Sequence, residues 1–338
     1  MTGKSKILQL LLLLLLLLAL CLLSLSVGQY QVGFSSVLGV LLHSLGVAGP
    51  NFSPAELSIV WFVRMPRVLV ALLVGAALAM SGAVMQGIFG NPLADPGIVG
   101  ISAGASLGAV LAIAWGFTSS NMLLTPACAF IGSLLAVFLT LVLAMRKGKL
   151  PVMTLLLAGV AVGMLLGAIT SGVLTLMNEQ QTQQYLFWTM GGLDFRRWEH
   201  VYLALGPITL GLVVMLLSAR HLNILVLGET EAKAVGMPVN LYRTVLLLVA
   251  AMTTSAAVCV SGNIGFVGLV IPHMLRMLVG ADHRVLLPAS ALGGACFLLF
   301  CDTLGRTLLP PTEIRVGIMT AVLGTPYFLY LLRNLQQR

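Results

Sequence analysis

The chain is divided into apolar stretches about as long as a bilayer is thick, and this constrains its fold more than any other feature. A hydrocarbon layer of about 30 Å takes about 20 apolar residues per helix. About ten such stretches fit, at roughly 8–27, 62–85, 98–116, 122–145, 152–177, 200–219, 242–262, 266–280, 286–305 and 314–332. Of 338 residues, 59% are hydrophobic and 8% charged, more apolar surface than a soluble domain of this length can bury. No ten-residue alternation of apolar and polar side chains recurs, which argues against a membrane β-barrel. The expectation is an all-α polytopic membrane protein of about ten transmembrane helices. Residues 1–338 form one domain, with no room for a sizeable soluble unit.

The net charge of +8 reads as orientation when sorted by side. With ten spans and the N-terminus inside, twelve of the 18 Lys and Arg residues fall on the cytoplasmic side. Arg64, Arg67, Arg196, Arg197, Arg306 and Arg315 fall outside. This follows the positive-inside rule and puts both termini in the cytoplasm. Nucleic-acid binding is not implied. Lys4 and Lys6 followed by the Leu10–Leu18 run look like a signal peptide. The run is too long for one, however, and no small-residue cleavage site follows it closely, so it reads as an uncleaved first span. The five cysteines lie within or beside apolar stretches with no C-x-x-C, as expected of apolar packing.

Four features could carry function. The first is Gly228–Met237 (GETEAKAVGM), a charged, helix-compatible insert on the cytoplasmic side. Its Gly228, Glu229, Glu231, Ala232, Lys233, Ala234 and Gly236 suggest a contact for a soluble partner, with Glu229 and Lys233 spaced as an i,i+4 pair. The second is a pair of glycine series: Gly159, Gly163, Gly167 and Ser171 in the fifth stretch, and Gly100, Gly104 and Gly108 in the third. A period of four puts each series on one helix stripe. Such a stripe either packs closely against another helix or leaves a smooth surface along a path or dimer seam. The third is the outer cations: Arg64 and Arg67 flank Pro66, and Arg306 ends the ninth stretch. These either snorkel or form a basic ring suited to carboxylates of a soluble protein. The fourth is the polar run Asn178–Gln184 (NEQQTQQ), which lines a wet vestibule or is a solvated loop. The long outer segment 28–61 has room for a short surface helix.

Other signals point away from chemistry. Gly3-Lys4-Ser5 copies the end of a P-loop but lacks the first glycine and the strand before it. Gly100-Ile101-Ser102-Ala103-Gly104 matches G-x-S-x-G but opens a membrane helix instead of a strand–turn–helix elbow. No metal-ligand spacing is present. His273 and Arg276 share a helix face beside the kink expected at Pro272. There they satisfy freed carbonyls or meet a partner.

Ordered blocks along the chain carry a resemblance. They are Arg64-Met65-Pro66-Arg67-Val68-Leu69, Gly75-Ala76-Ala77-Leu78-Ala79, Gln86, Asn91-Pro92-Leu93-Ala94-Asp95-Pro96, Leu157-Ala158-Gly159-Val160-Ala161, Trp188 with Gly191-Gly192, and Leu227-Gly228-Glu229. Gly265-Phe266-Val267-Gly268-Leu269-Val270-Ile271-Pro272-His273, Asp282-His283-Arg284, Asp302 with Arg306, and Glu313-Ile314 follow. This resembles the FecCD family, the permeases of bacterial ABC importers for ferric siderophores, haem and cobalamin.

The resemblance implies a BtuC-like permease in the bacterial cytoplasmic membrane that does no bond chemistry. It implies a second permease copy, in a homodimer or with a paralogue, and two ABC ATPase subunits beneath. A periplasmic or lipid-anchored binding protein would dock on the outer face. No cofactor is bound by this chain; ATP and Mg belong to the ATPase subunits. In the family, positions matching Arg64, Arg67 and Arg306 meet glutamates of the binding protein, and the loop matching Gly228–Met237 seats in the ATPase groove. The fifth and tenth helices line the path, and the loop with Asn91 and Leu93 contributes to the inner gate.

Two positions depart from relatives. Arg315 stands where many have proline, and would touch an anionic cargo or pair with Glu313. Val152-Met153 stands where some cobalamin permeases are small and polar at the gate, which favours an iron chelate, haem included, over cobalamin. A secondary transporter remains the rival class, but Asp95, Asp282 and Asp302 all lie near span ends.

Overall fold

The structure, a computed structural model, describes residues 3–145 and 150–335, and every regular element among them is helical. The cytoplasmic cations Arg146, Lys147, Lys149 and Arg338 lie outside the described residues. Each of the ten apolar stretches contains a helix. They are α1 (Gly3–Ser26), α3 (Pro54–Phe89), α4 (Ile101–Ala114), α5 (Leu124–Ala144), α6 (Val152–Leu174), α8 (Trp198–Leu217), α11 (Val239–Ser261), α12 (Val267–Val279), α13 (His283–Thr307) and α14 (Val316–Leu335). Seven of these are long and apolar enough to cross a membrane. The shorter α4 and α12, together with α14, complete the set. Four further helices of six or more residues connect them: α2 (Phe34–Ser44), α7 (Glu179–Thr189), α9 (Ala219–Val226) and α10 (Glu229–Ala234), with single turns at Pro96–Val99 and Phe117–Ser120.

Two connectors lie in segments that the sequence describes only loosely. The outer segment 28–61 holds α2, which turns Val37 and Val40 into the core, and it also holds the start of α3. There Ser53 caps the helix: its Oγ accepts from the Glu56 amide at 3.2 Å while Glu56 Oε2 accepts from the Ser53 amide at 2.7 Å. The run Asn178–Gln184 is not a loop but the cap and first turns of α7. Asn178 and Gln181 form the same reciprocal cap, and Gln181 Nε2 reaches the Ala114 carbonyl at the end of α4.

The longest helix is also the hub. At 1.5 Å per residue the 36 residues of α3 span about 54 Å, and α8, α11, α12 and α13 all pack on it. The bilayer gives no hydrophobic drive between helices, so close backbone approach must hold them together. Small residues provide that approach. A Cβ on Gly75 would overlap the Gly294 carbonyl of α13, and one on Gly294 would overlap the Gly75 carbonyl. Gly82 meets the backbone of Gly268 on α12 in the same way.

A second packing unit, α4 with α5, uses the glycine series of the third stretch. Gly104 lies against Gly132, and Gly108 against Cys128. That stripe is intrasubunit packing. Helix α6 leans on this unit from outside. Cys259, Cys296 and Cys301 are buried among the helices.

Candidate functional site: two ends and a connecting face

At the outer end the three expected docking cations are not a free ring. Arg64 and Arg306 are each only 5% exposed, and all three guanidinium groups are used inside the subunit. Arg64 Nη1 donates to the carbonyls of Leu25 (2.6 Å) and Ser26 (2.9 Å), and its Nη2 donates to that of Tyr30. Arg67 forks onto Asp302 (Nε to Oδ2 at 3.0 Å, Nη2 to Oδ1 at 2.9 Å) and reaches Glu313 Oε2 at 2.8 Å through Nη1. Arg306 holds the carbonyl and hydroxyl of Ser24 at 3.0 and 2.7 Å, with its Nε 3.4 Å from Asp302.

The physical reason is that a buried charge must be paired and hydrogen-bonded. These arginines lie on interior faces of α3 and α13, next to the unpaired carbonyls at the end of α1. They tie α1, α3, α13 and the turn before α14 into one outer platform. Arg315 does not pair with Glu313, which Arg67 occupies. Instead it meets Asp194 at 3.3 Å, donates to the Phe187 carbonyl at 2.9 Å and lies 4.6 Å over the Phe187 ring.

At the end expected to face the cytoplasm Gly228, at φ +125°, lets the chain turn into α10, a conformation that suits glycine. Glu229 and Lys233 pair at 2.6 Å, and Arg243 on α11 lies 3.5 Å from Glu229. The Lys233 hydrogen bond, helped by the nearby Lys233 and Arg243 charges, holds the Glu229 carboxyl below the usual carboxylate range. Ala232 is not part of the contact surface: it is fully buried and packs with Met237, Val239, Ile224, Leu225 and Tyr242. Glu231, Ala234 and Gly236 are exposed, as are the large apolar Leu227 and Val235, each 69%. Leu227 and Val235 flank α10 on either side, so the exposed surface of this segment is part apolar and part charged.

One connection here has no signature in sequence. Asn223 of α9 clasps the start of α13: its Nδ2 donates to Asp282 Oδ1 at 2.7 Å, and its Oδ1 accepts from the His283 amide at 2.9 Å. That bond lowers the Asp282 pKa. The two residues are about sixty apart, and only the fold joins them.

Between the ends, the α6 series divides. Gly159 is a packing residue, since a Cβ there would overlap the Ile98 carbonyl. Gly163 and Gly167 face open space, and Ser171 is exposed. Gly167, Thr170 and Ser171 line a hollow of about 340 Å³ with Ser102, Ser106 and Asn263. Ser102 Oγ donates to Asn263 Oδ1 at 3.1 Å. Hydroxyl and amide groups at membrane depth belong beside water or a partner, not lipid. Ser102 is the serine of the G-x-S-x-G match, so the motif flags a polar wall, not a nucleophile. At the inner end Asn91 Oδ1 accepts from the Leu93 amide at 2.9 Å in a tight turn. Val152 is half-buried and Met153 is 69% exposed at the start of α6.

The family model described as the FecCD transport family matches residues 15–334. The hemin transport system permease protein HmuU of Yersinia pestis is 48% identical over 285 residues, covering 82% of this chain and 85% of that protein. The cobalamin import system permease protein BtuC of Halobacterium salinarum is 47% identical over 280 residues, covering 83% and 74%. A solved structure ascribed to a metal-chelate type ABC transporter, in an inward-facing conformation, matches with a TM-score of 0.85 at 33% identity, covering 96% of this chain and 98% of its own.

Proposed function

Because this chain belongs to the FecCD transport family, and is thus a multi-pass permease subunit of an ABC importer, we propose that it carries an iron chelate, haem foremost, into the cytoplasm. The observation behind the cargo reading is the 48% identity to a hemin permease. Cobalamin is the second reading, favoured by the near-equal identity to a cobalamin permease. The two cargoes share a chemistry: a large, flat macrocycle around a metal.

In this reading both termini are cytoplasmic. Two copies of the chain, or one with a paralogue, enclose the path. Two ATPase subunits bind ATP and Mg and do the hydrolysis. They seat against α10, with Glu231, Ala234, Gly236, Leu227 and Val235 forming the contact. Ala232 anchors the helix from beneath, and the Glu229–Lys233 and Glu229–Arg243 pairs fix its tilt. A loaded binding protein docks on the outer platform that Arg64, Arg67 and Arg306 brace from within. The open face of α6 (Gly163, Gly167, Ser171) and the turn at Asn91 and Leu93, with Val152 and Met153, line the path and its inner gate. Closure of the ATPase pair on ATP would move α10 and, through the Asn223 clasp, α13. This biases two arrangements of packed helices and exposes the path to one side at a time.

ATPase stimulation of the purified complex tests the cargo. Haem-loaded binding protein should raise ATP turnover above the level with empty binding protein. Stimulation by cobalamin-loaded protein alone would move the assignment to the second reading.

A further inference from the structure

Two adjoining hollows, of about 330 and 160 Å³, open beside the outer platform and share Met122, Phe187, Trp188, Phe195 and Arg196. Their walls come from the end of α4, the 118–126 segment, α7, the 192–200 segment, the end of α11 and the residue just before α14. Three aromatic side chains surround a cation. Phe195 stands at the lip, 86% exposed, with φ at +56°. Bulky side chains rarely adopt that conformation, and where they do the surroundings hold them there. Neither packing nor a turn glycine explains an exposed phenylalanine held this way.

The cation is incompletely served. Arg315 is committed to Asp194 and the Phe187 carbonyl. Arg196 donates from Nη2 to the Gly192 carbonyl, at 3.2 Å, and its buried Nε meets no acceptor among the described residues. Local charge is unbalanced too. Among the described residues, the ion pairs around Arg64, Arg67, Arg196, Arg306 and Arg315 draw on three carboxylates, Asp194, Asp302 and Glu313. Burial pulls the Arg196 pKa down to about 10, with Asp194 opposing and Arg315 adding to the effect. An incoming anion would relieve both the missing hydrogen bond and the excess charge.

We infer that this pocket is an outer capture subsite for a flat, apolar ligand carrying a free carboxylate, with Arg196 taking the carboxylate and Phe187, Trp188 and Phe195 taking the ring. The inference rests on the importer reading and deepens it. A haem-type macrocycle with free acid side chains matches the aromatic and cationic lining, whereas a chelate whose acids are all masked as amides or esters forgoes the Arg196 contact. Aromatic walls suit a ring face, and the guanidinium fork suits the acid.

The test is hemin binding by the assembled permease–ATPase complex in lipid nanodiscs, without binding protein. Hemin should bind about tenfold or more tightly than hemin dimethyl ester, the loss expected for one charge-assisted contact. Arg196→Gln should remove that preference and leave ester binding unchanged, and Phe195→Ala should weaken both ligands. Equal wild-type affinity for hemin and its ester overturns the inference, and this comparison needs no variant to fold. Competition by octanoate as effective as that by protoporphyrin would also overturn it, by assigning the site to a lipid-type acid. ATP-driven uptake with the binding protein present is scored separately. Uptake that continues while hemin and its ester bind alike rejects the subsite and keeps the importer; no ATP-driven uptake of any chelate rejects the importer itself.

Discussion

Asp302 is the residue whose loss should cost the outer end of the molecule most. Its side chain is 1% exposed and lies between Arg67 and Arg306. Asp302→Ala would leave two buried cations short of a partner, a defect worth about 3–5 kcal/mol. We expect a marked drop in the heating temperature that the solubilised complex survives, whereas Asp302→Glu should recover part of it. The same reasoning limits charge reversal at Arg64, Arg67 and Arg306: such variants break internal pairs, so docking must be measured on complexes shown to be assembled. Glu229 behaves differently because it is largely exposed. Its folded-state pKa is depressed, so the contribution of its pairs is present above the unfolded value of about 4.3 and is lost as pH falls through the folded value. Hydrogen exchange of the 228–237 amides should show protection unchanged from pH 8 to 6 and falling only in the carboxylate range. Loosening near pH 6 would contradict the assignment. The sequence reveals that these charges are unusual but not what they serve. An outer arginine looks the same in sequence whether it faces a partner or a helix-end carbonyl, and Arg315 beside Glu313 invites a pairing that the fold gives to Arg67.

Among elements, α10 and α6 allow the sharpest separation of packing from function. Leu227→Asp with Val235→Asp should abolish co-purification of the ATPase while changing stability little, since exposed substitutions usually cost within about 0.5 kcal/mol. Ala232→Arg should unseat α10 altogether by forcing a charge into its small core. Retention of the ATPase by the double aspartate variant would show that the contact lies elsewhere. On α6, Gly159→Ala should lower assembly because its Cβ meets the Ile98 carbonyl, whereas Gly163→Leu should assemble and reduce transport per assembled complex. An unchanged value for the latter would remove this face from the path. The period-of-four glycines were legible in sequence as a stripe. A helix exposes the stripe only where no neighbour crosses it, and the crossing at Ile98 is set by the 3₁₀ turn Pro96–Val99, which periodicity does not reveal. Each apolar stretch contains a helix, and for seven of them the bilayer thickness accounts for the length; α4 and α12 are shorter than a span. The polar run Asn178–Gln184 misleads for the opposite reason: this half of α7 is held by a cap and by Gln181, and the apolar anchors, Tyr185 and Trp188, come only in its second half.

At the scale of the whole molecule, a long central helix joins two ends with different chemistry. Glycine contacts lock α13 and α12 to α3, the arginine network closes the outer end, and the Asn223 clasp ties the cytoplasmic segment to the start of α13. Helix α13, about 37 Å long from its 25 residues, therefore touches both the segment that carries α9 and the outer platform. A permease driven by a separate ATPase needs such a link, whereas a gradient-driven transporter needs an ionisable site at mid-membrane. The carboxylates here lie at helix ends, in the outer network or in the Asn223 clasp. The most direct test is uptake of labelled haem into proteoliposomes containing the chain and its ATPase subunits, with ATP enclosed and loaded binding protein outside. The account predicts uptake that requires both ATP and the binding protein and that persists when a protonophore collapses the proton gradient. Uptake that proceeds without ATP and stops with the gradient would contradict it.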